Sequence, residues 1–164
     1  MQARVRQTCL FAVVALGLVV VLAGATLAQP GSSNLGTWKI NLAKSKYAAG
    51  TAPKSVSFTV VAAGAGIKVT CDVVSADGTA WHWGYTANYD GKDNPITGNT
   101  TNGDVTTATR VDANTTKHIF KKGATVAVSQ TAVVSSDGKT MTITSTGTNT
   151  LGKPVNSVAV YDKQ

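Results

Sequence analysis

Apolar and polar residues alternate with a period of two through much of this chain. Residues 56–60 read VSFTV, and residues 67–73 read IKVTCDV. Successive side chains of a β-strand point to opposite faces, so this period is typical of strands with one buried face. Turn residues such as Asp77-Gly78 recur about every 8–12 residues between these segments. The alternation therefore predicts an all-β fold built from antiparallel hairpins.

The composition leaves little room for helices. Of the 164 residues, 43% are apolar and 14% are charged, and each of the 8 acidic residues is Asp rather than Glu. Good helix formers are scarce, which excludes a helical bundle or a coiled coil. An open sheet would expose two long edges, and closure into a barrel removes them. We expect a single domain, residues 35–164, that forms an antiparallel up-and-down meander of about 8–10 strands closed into a barrel.

The N-terminal segment has the features of an export signal. Two arginines precede an apolar run over residues 9–25, and small residues follow the run. This order is typical of a secretory signal peptide, with cleavage after Ala28 or after Ala25. The run is shorter than the roughly 20 residues of a membrane-spanning helix, which disfavours an uncleaved anchor. We expect residues 1–28 to be the Sec-type signal peptide of a periplasmic or secreted protein.

Removal of the signal leaves a short polar tether and a basic domain. Residues 29–34 form the predicted flexible tether, and loss of two arginines lowers the net charge from +7 to +5. Cys71 becomes the only cysteine, so no disulfide can form within the chain and the core must supply the stability. The basic residues are scattered lysines and a single arginine, whereas nucleic-acid-binding proteins cluster such residues. We expect a monomer that binds no nucleic acid and keeps no stable membrane anchor.

A short motif opens the first predicted strand. Gly36-Thr37-Trp38 resembles the G-x-W motif of lipocalins and their calycin relatives. Together with the residues up to Tyr47, it is similar to the start of small exported bacterial proteins with lipocalin-like barrels. In lipocalins the tryptophan closes the barrel floor, and a basic residue near the last strand packs on it. The resemblance therefore assigns the barrel floor to Gly36, Trp38 and Lys163, and it implies a barrel that holds a small apolar ligand.

One predicted strand is unusually aromatic. Trp81, Trp83 and Tyr85 share one of its faces, and His82 lies on the other. Such a face either lines a pocket for an apolar ligand or packs as an ordinary core, because aromatic residues contribute much of the burial in both. Under either interpretation it shares the barrel interior with apolar residues of other strands. The candidate ligand-binding residues are Phe58, Val69, Cys71, Trp81, Trp83, Tyr85, Val128, Met141 and Ile143.

Few residues suggest catalysis or metal binding. His82 and His118 have no second ligand at metal-site spacing, and both are expected at the solvated surface. Cys71 lies in phase with apolar neighbours, which predicts a buried and unreactive thiol. The aspartates mostly occupy turns, and turn formation accounts for them. We predict no catalytic residue, no metal and no cofactor.

Three functions fit these features. The first is an exported, non-enzymatic, lipocalin-like protein that binds a small apolar, lipid-like molecule inside the barrel. The second is a structural protein of the cell envelope whose barrel interior is fully packed. The third is a barrel isomerase or cyclase in which Tyr85, Cys71 or His118 take part if they converge. A continuous apolar cavity of a few hundred Å³ would count against the second.

Overall fold

The structure, a computed structural model, describes residues 33–164, which form eleven β-strands and one 3-10 turn, Leu42–Lys44. The predicted signal peptide, residues 1–28, and residues 29–32 of the predicted tether lie outside the described residues. Between residues 33 and 164 there is no helix with the length and hydrophobicity needed to cross a membrane. The strands are β1 Gly36–Ile40, β2 Ser55–Ala63, β3 Gly66–Val74, β4 Ala80–Ala87, β5 Asn94–Pro95, β6 Thr97–Gly98, β7 Val105–Arg110, β8 Thr115–Lys122, β9 Thr125–Val134, β10 Thr140–Thr148 and β11 Pro154–Lys163.

The eleven strands of the described residues belong to one antiparallel sheet, in the order β5-β7-β8-β9-β10-β11-β1-β2-β3-β4-β6. From β1 to β4 and from β7 to β11, each strand pairs with the next one along the chain, as in a meander. The two runs join where β1 pairs with β11, with Trp38 opposite Lys163. The sheet thereby curls into a nearly closed barrel, which confirms the predicted all-β fold and antiparallel meander.

The remaining gap, between β4 and β7, is bridged by a short segment. Asn94 and Pro95 pair with β7, while Thr97 and Gly98 pair with β4. Ile96 lies between the two pairs and packs against the core. Proline has no backbone N–H to donate to a β-ladder, so it occurs at sheet edges. The bridge therefore connects β4 and β7 without forming a full strand.

Gly98 is required in this bridge, because its φ is +81° and a Cβ would overlap the carbonyl oxygen of His82. We expect Gly98→Ala to lower the free energy of unfolding by about 2–3 kcal/mol, since both the strained φ and the overlap must be relieved. Urea unfolding followed by Trp fluorescence measures the loss. Gly138→Ala is the matched control, since Gly138 has a φ of +70° but no atom within 4 Å of a Cβ. Equal losses in the two variants would show that the bridge moves aside freely.

The barrel interior is formed by alternate residues of the long strands. Trp38, Ile67, Phe120 and Val128 are at most 1% exposed, whereas outward neighbours such as Lys68 are exposed. Residues that alternate in the sequence therefore point alternately into the barrel and out to solvent. Barrels of this strand number leave an interior that side chains fill or that holds one small ligand.

Candidate functional site

The described residues line a partly open cavity of about 270 Å³ inside the barrel. Its wall consists mainly of side chains from β2–β4 and β8–β11. Small-molecule sites typically measure about 300–1,000 Å³, so this cavity lies just below that range. The barrel interior therefore has room for one small molecule, and it is not filled by side chains alone.

Strands β2, β3 and β4 form an apolar wall. Phe58, Cys71 and Trp83 lie directly opposite one another across these strands. The flanking rows are Val56, Val73 and Trp81 on one side, and Val60, Val69 and Tyr85 on the other. Trp83 stacks on Tyr85 with ring centroids 6.1 Å apart, and it meets Phe120 edge-on at 5.9 Å. The aromatic face of β4 therefore points into the cavity.

The opposite wall, on β8 to β11, carries a row of polar side chains. His118 of β8 lies opposite Gln130 of β9. Gln130 in turn lies opposite Ser145 of β10, and Ser145 lies opposite Ser157 of β11. All four side chains line the cavity, and we call them the polar row. The cavity thus has one apolar wall and one wall crossed by hydrogen-bonding groups.

His118 is the titratable side chain of the polar row, and only 7% of its surface is exposed. Its Nδ1 lies 3.1 Å from the Tyr85 hydroxyl, and its Nε2 lies 3.2 Å from the hydroxyl of Thr116. Burial lowers the pKa of His118 to about 4 and raises the pKa of Tyr85 far above its ordinary value. Both side chains are therefore uncharged at neutral pH.

The predicted surface position of His118 is wrong. In β8 its side chain follows the same inward phase as Phe120, two residues further on, so it enters the barrel. This phase was readable from the sequence, because Phe120 marks the inward face. His82 does lie outside the barrel, where its Nδ1 is 2.6 Å from a carboxylate oxygen of Asp72.

The barrel floor is built around Trp38. The indole N–H of this fully buried side chain donates to the carbonyl oxygen of Asn34 at 2.8 Å. Lys163 extends over the indole ring, with its Nζ 5.2 Å from the ring centroid. Gly36 has a φ of +126°, and a Cβ there would lie 2.7 Å from Lys163 Cε, so only glycine leaves room for the lysine stem. The three residues named by the lipocalin resemblance therefore lie together at one end of the barrel.

At the other end, the loop between β6 and β7 contributes to the cavity wall. The N–H of Asn99 donates to the carbonyl oxygen of His82 at 2.8 Å. The N–H and hydroxyl of Thr150 both donate to the carbonyl oxygen of Thr101, at 2.8 and 3.0 Å. Residues 100–102 line the cavity, so this loop completes its wall. The sequence indicated a polar loop here but carried no signal that it covers the interior.

Eight of the nine candidate ligand-binding residues line the cavity, namely Phe58, Val69, Cys71, Trp81, Trp83, Tyr85, Met141 and Ile143. The ninth, Val128, is fully buried but contributes to a separate cluster with Phe120 and Ala127. Ligand binding by these residues stays a prediction. Apolarity was the only criterion for the candidates, so it missed Gln130, which lies in phase with Val128 and Ala132.

The cavity is poorly equipped for proton transfer. Burial, with a smaller contribution from Asp72, raises the pKa of the Cys71 thiol to about 12, so the thiol stays protonated. Both ring nitrogens of His118 are already hydrogen-bonded to protein groups. Residues 33–164 contain no group of three or more His, Cys, Asp or Glu side chains placed to hold a metal ion.

The described residues thus form a nearly closed antiparallel meander barrel around a cavity, with Trp38 beneath Lys163 at one end, and this architecture is lipocalin-like. No protein-family model and no curated protein matches the chain. Among solved structures, the chain is similar to the zebrafish ileal bile acid-binding protein complexed with cholic acid, at 12% identity and a TM-score of 0.43. The similarity covers 81% of this chain and 100% of that chain. At this level it does not transfer a ligand from one barrel to the other.

Proposed function

We propose that this protein is exported and binds a small, largely apolar molecule inside its barrel without converting it. The observation that carries the proposal is the cavity of about 270 Å³ with its aromatic and aliphatic wall on β2–β4. Burial of apolar ligand surface contributes roughly 25 cal/mol per Å², so such a wall is a source of affinity. The same cavity counts against a fully packed structural barrel. Export rests on the signal-like sequence of residues 1–28.

The uncharged state of the interior supports a binding role rather than catalysis. Tyr85 and His118 do converge, and Cys71 lines the same cavity. Each of the three is neutral at neutral pH, however, and a nucleophile or base needs an activating neighbour. The neighbours of His118 instead occupy its nitrogens. In this proposal, Tyr85 and His118 are fixed parts of the cavity wall and take no part in a reaction.

Trp81 and Trp83 in the cavity wall provide an intrinsic reporter of binding. Titration of the mature protein with fatty acids, sterols and retinoids is expected to give a saturable change in Trp emission with one of these classes. Ala159→Leu fills part of the cavity and should weaken that binding about tenfold or more. Ala80→Leu is the control at an exposed, outward position of β4. Flat titrations with all classes, or unchanged affinity in Ala159→Leu, would contradict the proposal.

Native mass spectrometry of protein isolated from the envelope fraction of its own host tests export and cargo together. We expect a chain beginning at Gln29, after cleavage at Ala28, or at Thr26, after cleavage at Ala25. We also expect an additional small mass that is lost on denaturation. A chain that retains Met1 would contradict export, and a bare chain after incubation with host lipid extract would contradict the carrier role.

A further inference from the structure

We infer that the ligand is an uncharged amphipathic molecule, with one apolar face and with hydroxyl or carbonyl groups along the opposite face. This inference rests on the proposed binding function and specifies its chemistry. It follows from two features of the cavity wall, which are the position of its polar groups and the kind of polar group it contains.

Within the strands, the polar side chains that line the cavity form a row on one side, whereas Asn34, Ser75 and residues 100–102 lie outside the strands. The ten residues of β2–β4 that line the cavity are aliphatic or aromatic, or in one case a cysteine. The polar row instead crosses four adjacent strands at a single level, because its members are direct cross-strand partners. Side chains directly opposite in a sheet are about 4.5–5.5 Å apart at Cβ, so the row is a continuous strip rather than scattered groups. A ligand complementary to both walls must itself have one apolar face and one polar face.

Most of the polar row has no partner within the protein. Among residues 33–164, the side chains of Gln130, Ser145 and Ser157 form no hydrogen bond with another protein group. Ser145 is 6% exposed and Gln130 and Ser157 are half-buried, and all three side chains line the partly open cavity. A ligand that fills the cavity removes these groups from water, and leaving a polar group unpaired after such burial is costly. The missing partners are supplied by polar groups of the ligand, or by water when the cavity is empty.

The wall contains no counter-charge. The described residues that line the cavity include no Lys, Arg or Asp. His118 does not substitute for a cation, because burial lowers its pKa to about 4. A carboxylate or phosphate buried among these residues would lose its hydration without gaining an ion pair. A neutral ligand with several hydrogen-bonding oxygens avoids that penalty and still satisfies the polar row.

Three probes with the same acyl chain separate these properties. Monolauroylglycerol is neutral and carries hydroxyl groups, laurate is an anion at neutral pH, and methyl laurate is neutral but has no donor. We expect the mature protein to bind monolauroylglycerol about tenfold more tightly than either of the others, by displacement of a fluorescent probe or by calorimetry.

Substitutions in the polar row supply the second measurement. Ser145→Ala and Gln130→Leu should each weaken monolauroylglycerol binding about three- to tenfold, with little change for methyl laurate. Thr144→Ala is the matched control, since Thr144 is the exposed neighbour of Ser145 on the outer face. Circular dichroism confirms that each variant is folded.

The outcomes distinguish this inference from the function on which it rests. Laurate binding as tightly as monolauroylglycerol, or row variants that leave every affinity unchanged, would overturn the inference but leave a ligand-binding barrel. Failure of all three probes would also overturn the inference. The proposed function fails as well only if the fluorescence titrations with fatty acids, sterols and retinoids are also flat.

Discussion

Trp38→Ala is expected to lower the free energy of unfolding by about 4 kcal/mol. The indole is fully buried in the floor of the barrel, so its removal leaves a cavity that the surrounding strands fill only in part. The substitution also removes the donor that pairs with the carbonyl oxygen of Asn34 at 2.8 Å. A loss of this size is a large fraction of the roughly 5–15 kcal/mol that stabilises a small domain. Equilibrium urea unfolding of the mature protein measures it.

Two further variants separate the contributions at the floor. Trp38→Phe keeps most of the ring volume but loses the N–H donor, so it should cost about 1–2 kcal/mol and remain folded. Lys163→Ala removes only the cation above the ring, whose Nζ is 5.2 Å from the centroid, and should cost less than about 1 kcal/mol. A loss below 1 kcal/mol in Trp38→Ala would show that the tryptophan is not the structural centre of the floor.

The barrel was predictable because local pattern and turn chemistry agree along most of the chain. The alternation in β2 and β3 specifies strands with one buried face, and Asp77-Gly78 and Asp137-Gly138 mark hairpin turns. The bridge at residues 94–98 was harder to predict, because its two pairs of residues are too short to show a period. The loop before β7 reaches the cavity because its backbone forms hydrogen bonds with distant segments. The local sequence does not encode such long-range contacts.

The polar half of the cavity was missed for a physical reason. Sequence reasoning assigns apolar residues to the interior, and strands such as β10 carry Thr or Ser on both faces. Ser145 lies in phase with Met141 and Ile143, so its inward position was readable, but only the register shows that it lies opposite Gln130 and Ser157. His118 was placed at the surface because the sequence offers it no metal-ligand partner, although it lies in phase with Phe120. A binding site departs from the hydrophobic pattern where it needs specificity, so its polar groups are the ones that the pattern hides.

His118 is expected to make the protein less stable as the pH falls from 6.5 to about 4. Burial lowers its pKa in the folded protein from 6.5 to about 4. Between these values the unfolded chain binds a proton that the folded barrel does not, so acid favours unfolding. The loss approaches about 1.4 kcal/mol per pH unit and totals about 3 kcal/mol near pH 4. Urea unfolding at a series of pH values measures this slope.

His118→Gln should flatten that slope, because glutamine does not titrate and still hydrogen-bonds within the row. His82→Gln is the matched control, since it removes a histidine from the exposed outer face and should retain the slope of the wild type. The carboxylates whose pKa is lowered, such as Asp104 and Asp162, also destabilise the protein from about pH 5 downward, so the slopes of the variants are compared between pH 6.5 and about 5. An unchanged slope in His118→Gln would show that His118 keeps its ordinary pKa in the folded barrel and is protonated there below about pH 6.5. The cavity would then contain a cation, and an anionic ligand would become compatible with it.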